Sequence, residues 1–292
     1  MPDGTAHLSS PRVSSSRAPR RLRRLVVATF AATAALATVL SSQAMACPYG
    51  HWPFQVSHEY VALGDSFSAG VGTGEYDPAS GDCLRSSKAY APLWAADHPS
   101  YSLAFRACSG ATSKDVLALQ LKGLSDDSAL VTVTAGGNDI GFSTILGTCL
   151  QAGEAGCAVA VEKAKKSVAE DLPGLLESLY EEIEDRAPSA RVMVLGYPTM
   201  FDTSGECPQS GLSPKSRTMI NDGTQLLNVT IREAARAAGL NFVDVRPVFT
   251  GHAVCSSDPW LNGLMSFEYD SFHPNAKGYA LGYRAALASA VG

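Results

Sequence analysis

The chain has 292 residues, 46% of them hydrophobic and 17% charged, and its 28 acidic side chains outnumber 23 basic ones. The apolar content suffices for one domain with a sizeable core. The acidic balance gives no encouragement to a nucleic-acid partner, which would need basic patches.

The N-terminal segment stands apart from the rest. Arg17 to Arg24 is basic, Leu25 to Leu40 is a run of small and branched apolar residues, and Ala44-Met45-Ala46 is a small-x-small cleavage site. This layout predicts a secretory signal peptide over residues 1–46, cut before Cys47, and therefore an extracellular protein. The apolar run is short for a membrane span, so no transmembrane anchor is expected after cleavage. Arg23-Arg24 leaves both the general and the twin-arginine export routes open. The remaining 246 residues keep 17 basic and 27 acidic side chains, a net charge of −10, and are expected to act as a monomer.

Five apolar runs then read as strands: Tyr60–Leu63, Tyr101–Phe105, Leu130–Thr134, Val192–Leu195 and Phe242–Val245. Most lack strict alternation, as in strands buried on both faces of a parallel sheet. Helical stretches separate them over Lys88–Asp97, Val159–Glu170, a Leu172/Leu175/Leu176/Leu179/Ile183 stripe, and Ser216–Ala238. Pro173 belongs in the first turn of its helix, and a last helix over Asn275–Ala290 closes the chain. The β-α alternation predicts one doubly wound sheet, with ligands collecting at the carboxyl ends of its strands.

Of seven cysteines, Cys47 is the odd one at the expected new terminus. In an exported protein the other six read as disulfides. The expected pairing is sequential, Cys83–Cys108, Cys149–Cys157 and Cys207–Cys255, because each pair brackets a loop region beside a strand end. No C-x-x-C pair is present, so no zinc site is expected, and nothing in the sequence implies an organic cofactor.

Three motifs carry chemistry. Gly64-Asp65-Ser66 ends the first strand and exposes a serine hydroxyl at a helix N-terminus, where an anionic intermediate is favoured; a Gly-Asp-Ser turn alone could equally be a helix cap. Gly136-Gly137-Asn138-Asp139 follows the third strand and offers close backbone approach and an amide donor. Asp270 and His273 sit three residues apart on one loop, so that the carboxylate can orient the imidazole while His273 takes the proton of Ser66. Gly110, just after Cys108, adds a further N–H, and the Cys83–Cys108 bridge would hold that loop rigid. Phe67, Ile140, Phe142 and Phe272 could line an acyl pocket.

With Gly64-Asp65-Ser66, Gly110, Gly137-Asn138-Asp139 and Asp270-x-x-His273 in this order, the chain resembles the SGNH (GDSL) hydrolase family over essentially all of residues 47–292. The Cys-Ser-Gly-Ala-Thr block and the six-cysteine layout look like its secreted actinobacterial lipases and esterases. The resemblance implies a three-layer α/β/α sandwich with a five-stranded parallel, flavodoxin-like sheet. It implies Ser66 as nucleophile, His273 as base, Asp270 as orienting acid, and an oxyanion hole from the Ser66 and Gly110 N–H groups and the Asn138 side chain. In some members a backbone carbonyl orients the histidine instead. The expected activity is hydrolysis of small-molecule or lipid carboxylic esters. A carbohydrate acetylesterase and a phospholipase are alternatives of the same fold, and a non-catalytic secreted binding module is the alternative from another class.

Overall fold

The computed structural model describes residues 58–266 and 268–292, so the expected signal peptide, its cleavage site and Cys47 lie outside the described residues. Five strands, β1 (His58–Gly64), β2 (Tyr101–Phe105), β3 (Ser128–Thr134), β4 (Arg191–Leu195) and β5 (Asn241–Val243), form one sheet in the order β2-β1-β3-β4-β5. Every pairing is parallel, with Val61 opposite Ala104 on one side and Val131 on the other. Two short helices, α1 (Ser66–Ala69) and α3 (Ser113–Asp115), follow β1 and β2, and longer ones cover both faces: α2 (Tyr90–Asp97) packs with α7 (Arg284–Val291), and α4 (Phe142–Glu170), α5 (Leu172–Arg186) and α6 (Pro214–Ala237) pack with one another. This explains the continuous apolar strands. Tyr60, Val61, Ala62 and Leu63 are all buried, as are Val131, Val133 and Val192 through Leu195, each large side chain contributing about 1.5–3 kcal/mol. Two polar side chains on these strands pair directly, the Tyr60 hydroxyl lying 3.0 Å from Thr132 Oγ1.

Strand order reverses at β1, because the chain leaves it to form β2 on one side and β3 on the other. The loops after β1 and β3 therefore diverge and leave a crevice between them. Gly64 makes the junction possible: its φ is +123°, and a Cβ there would lie 2.4 Å from the Thr134 carbonyl oxygen. The Gln120 side chain locks that turn from below, accepting from Gly64 N at 2.7 Å and donating to Gly64 O at 2.9 Å.

The elements depart from the sequence pattern where local interactions intervene. β5 stops at Val243 rather than Val245, because Asp244 turns back to accept from Arg246 N and its guanidinium. The helix expected from Val159 begins at Phe142; Gly153, at φ 60° and ψ −161°, breaks it midway, which hides the first half from a periodicity reading. The Cys149–Cys157 bridge spans that break. α6 starts at Pro214 because the Ser213 side chain caps Ser216 N. Cys83–Cys108 and Cys207–Cys255 complete the three bridges. With separations of 25, 8 and 48 residues, chain entropy assigns them about 3.5, 2.6 and 4 kcal/mol respectively.

Candidate active site

Ser66 is the first residue of α1 (Ser66–Ala69), which Asp65 caps by accepting from Phe67 N at 2.9 Å. Four residues make too short a helix for a substantial dipole, so the electrostatic help expected from a helix terminus reduces to the amides themselves. The Ser66 amide, at the first helical position, has no acceptor within the helix.

Ser66 Oγ lies 2.8 Å from His273 Nε2, although 207 residues separate them. His273 Nδ1 lies 3.0 Å from the Ser271 carbonyl oxygen. A carbonyl only accepts, so Nδ1 carries the proton and Nε2 presents its lone pair to the serine hydroxyl. Phe272, with φ +60° in the left-handed region, sits between the carbonyl and the imidazole at the bend of this loop. The other described histidines are committed elsewhere. His98 stacks on Trp94 at 3.8 Å, His252 stacks on Trp260 at 3.6 Å, and His58 packs near Tyr101.

The place expected for Asp270 at His273 Nδ1 is taken by the Ser271 carbonyl. The Asp270 carboxylate instead accepts from Gly72 N at 3.2 Å and from the Tyr76 hydroxyl. Asn262 Nδ2 completes the junction by donating to both Gly72 O and Asp270 O, at 2.8 and 3.1 Å. Gly72 is required here: a Cβ on it would meet Pro274 O at 2.4 Å and His273 Cβ at 2.8 Å. Asp270 thus fastens the loop after α1 to the histidine loop. Its charge still acts on His273 through space, favouring the imidazolium. Asp270→Asn can keep the Gly72 and Tyr76 bonds, so it should lose less than about tenfold in kcat/KM, far less than the roughly 10⁴ that follows loss of a carboxylate bonded directly to a catalytic imidazole. Steady-state kinetics of this variant at neutral pH, where a larger loss would return the orienting role to the carboxylate, make the check.

The glycine loop after β3 faces the serine from the other wall of the crevice. Asn138 Nδ2 donates to Ala111 O at 3.0 Å, and Asp139 accepts from Ser113 N at 3.0 Å and Ser113 Oγ at 3.1 Å. These bonds join the Asn138 loop to the Gly110 loop. Gly110 itself has φ +77°, and the Cys83–Cys108 bridge ends two residues before it.

Sequence reasoning missed a buried chain of polar groups behind the serine. The Tyr197 hydroxyl accepts from Gly137 N at 3.0 Å and donates to Asp65 Oδ2 at 2.5 Å. Burial pushes the Asp65 carboxyl up to about 7, outweighing the opposing Tyr197 bond. Tyr279 adds a second tie, donating to Val71 O at 2.8 Å. No local motif announces these tyrosines, because each acts from a distant element.

A pocket opens over the serine, lined by Ser66, Phe67, Asn138, Phe142, Tyr197 and His273 among others. Of the aromatics expected there, Phe67 and Phe142 line it and Ile140 lines the adjoining space. Phe272 does not; it is buried edge-on against Phe201, with ring centroids 5.5 Å apart.

Burial pulls His273 down to about 4 from its ordinary 6.5, against the favourable effects of the Ser271 carbonyl and Asp270. A base must be neutral to accept a proton, so kcat/KM on an uncharged ester should hold its plateau to about pH 4 and fall below it. A pH profile with its acid limb near 6.5 would contradict this. Stability is a poorer readout. Between about 4 and 6.5 the unfolded histidine binds a proton that the folded one does not, so its contribution is lost as pH falls. The folded Asp65 carboxyl, raised from 3.8 to about 7, binds a proton that the unfolded one lacks, so its contribution is lost as pH rises through that window. The two slopes oppose.

Residues 62–281 match the model of the GDSL-like lipase/acylhydrolase family. A curated lipase from Streptomyces rimosus is 44% identical over 233 residues, covering 80% of this chain and 87% of its own. Lipase 1 of Streptomyces coelicolor is 42% identical, with 92% of this chain and 97% of its own covered. The crystal structure of phospholipase A1 from Streptomyces albidoflavus NA297 superimposes with a TM-score of 0.77 at 45% identity, over 80% of this chain and 99% of that one. The extracellular lipase of Streptomyces rimosus superimposes equally well, with a TM-score of 0.77 at 44% identity, over 80% and 99% of the two chains.

Proposed function

Since the chain belongs to the GDSL-like lipase/acylhydrolase family and is an ester hydrolase of the SGNH type, we propose that it cleaves acyl-lipid esters through an acyl-enzyme on Ser66. The observation that carries this reading is the Ser66 Oγ–His273 Nε2 contact of 2.8 Å, with Nδ1 held by the Ser271 carbonyl. His273 takes the serine proton as Oγ attacks the ester carbonyl. The Ser66 and Gly110 amides and the Asn138 side chain receive the developing oxyanion. The tetrahedral intermediate then collapses, and His273 returns the proton to the leaving alcohol. Water, deprotonated by the same imidazole, releases the acyl group as a carboxylic acid. The Ser271 carbonyl holds the productive tautomer, and Asp270 positions the loop that carries it.

Apolar walls at Phe67, Phe142, Met200 and Leu227 favour an acyl chain over a sugar. The lipase and phospholipase A1 relatives point the same way. The extracellular relative, the three disulfides and the signal-like segment over residues 1–46 support action outside the cell. The test is labelling by a fluorophosphonate probe followed by hydrolysis of esters from acetate to palmitate and of phospholipids. Labelling at Ser66 with activity on longer acyl groups supports the reading. Activity confined to acetate would identify a deacetylase, and absence of labelling would leave a binding module.

A further inference from the structure

The two walls of the crevice are joined at their base by the sheet, where Asp65 N donates to Thr134 O at 3.0 Å. Beyond that bond the walls part, and the Tyr197 side chain spans them. Its hydroxyl accepts from Gly137 N at 3.0 Å and donates to Asp65 Oδ2 at 2.5 Å. Gly137 immediately precedes Asn138, and Asp65 immediately precedes Ser66. A single buried oxygen therefore ties the residue before the nucleophile to the residue before the oxyanion amide.

Tyr197 is itself held from several sides. Its N–H donates to Asn228 Oδ1 and its carbonyl accepts from Asn228 Nδ2, both at 2.8 Å, so α6 fixes its backbone. One residue earlier, Gly196 O accepts from the Tyr283 hydroxyl at 2.9 Å. The ring meets Phe67 edge-on, with centroids 5.1 Å apart. A side chain locked in this way can hold a distance between the groups it bonds.

Gly137 carries a matching observation. Its φ lies outside the left-handed region, so no backbone strain calls for glycine there. A Cβ at this position would instead meet the Tyr197 hydroxyl oxygen at 3.1 Å and Cζ at 3.3 Å. The residue is small because the hydroxyl comes this close.

We propose that Tyr197 is a positioning residue for catalysis: its hydroxyl holds the Asn138 loop at the distance from Ser66 at which the amide meets the oxyanion formed by attack of Oγ. The proposal rests on the reading of Asn138 as an oxyanion donor and names the group that aims it. Such donors act only where they meet the transition-state oxygen, and a displacement of about 1 Å lowers rates by up to about 10²-fold.

Tyr197→Phe keeps the ring that lines the pocket and removes only the oxygen. On a soluble butyrate ester kcat should fall by about 10–100-fold while KM stays within about twofold. The deciding readout is the cycle with Asn138→Ala. Because Tyr197 acts through that amide, adding Tyr197→Phe to Asn138→Ala should lower kcat by less than about threefold more. A merely structural brace would give the same factor in both backgrounds. Rates are compared well below the lowest melting temperature, since Tyr197→Phe leaves the buried Gly137 N–H without its acceptor and lowers stability. If that variant fails to fold, Gly137→Ala probes the same contact without leaving a group unpaired. Its Cβ presses on the hydroxyl, and kcat should fall by about 3–10-fold in the wild type and less than about twofold beside Asn138→Ala. Wild-type kcat in a folded Tyr197→Phe enzyme, or in Gly137→Ala where the first does not fold, would overturn the proposal, as would equal factors in the two backgrounds. Failure of the oxyanion reading shows differently, as an Asn138→Ala enzyme that keeps its kcat.

Discussion

Ser66→Ala and His273→Ala are each expected to lower kcat/KM on a preferred ester by about 10⁴–10⁶-fold, with little change in fold. The two groups act as one unit. Without the hydroxyl there is no attacking atom, and without the imidazole the hydroxyl keeps its proton at neutral pH. The double variant should therefore be hardly worse than either single one, because the second removal takes away a function already lost. Neither change should disturb the core. Alanine fits at the start of α1, and the junction of Gly72, Asp270 and Asn262 holds the histidine loop without the imidazole. Circular dichroism and the melting temperature should stay close to wild type, while fluorophosphonate labelling disappears in Ser66→Ala and becomes very slow in His273→Ala. A Ser66→Ala enzyme with near wild-type turnover would remove the serine mechanism altogether.

Asn138→Ala is expected to cost about 10²–10³ in kcat, the loss typical of one oxyanion donor. The geometry gives the amide two jobs to separate. One N–H is engaged by Ala111 O at 3.0 Å, which steadies the Gly110 loop, and the amide has a second N–H to offer. If oxyanion stabilisation dominates, kcat falls while KM barely moves, and the loss of the Ala111 bond appears separately as about 0.5–1.5 kcal/mol of stability. A loss confined to KM would assign Asn138 to substrate binding. Parallel losses of activity and melting temperature, restored together at low temperature, would make it a loop brace.

The division between sequence and tertiary structure follows the range of the interactions involved. Strands β1 to β4 were legible because burial on both faces of a parallel sheet demands unbroken apolar runs, and the candidate groups were legible because each follows such a run or precedes a helix. Ser66, Gly110, Asn138 and the pair Asp270/His273 are local motifs, spelled by neighbouring residues. Sequential cysteine pairing was readable for the same reason, each pair bracketing one loop region. What the sequence could not spell was which atom faces which across the crevice. Spacing put the Asp270 carboxylate beside His273, yet the bend at Phe272 brings the Ser271 carbonyl to Nδ1, and Asp270 finds Tyr76, 194 residues away. Tyr197 reaches Asp65 across 132 residues and Gln120 brackets Gly64 across 56. Such partners leave no periodic or motif signature, because one residue on a distant element suffices and its neighbours need not share the role. The first half of α4 was hidden by the opposite cause, a local break at Gly153 that spoils the helical period although packing against α6 continues.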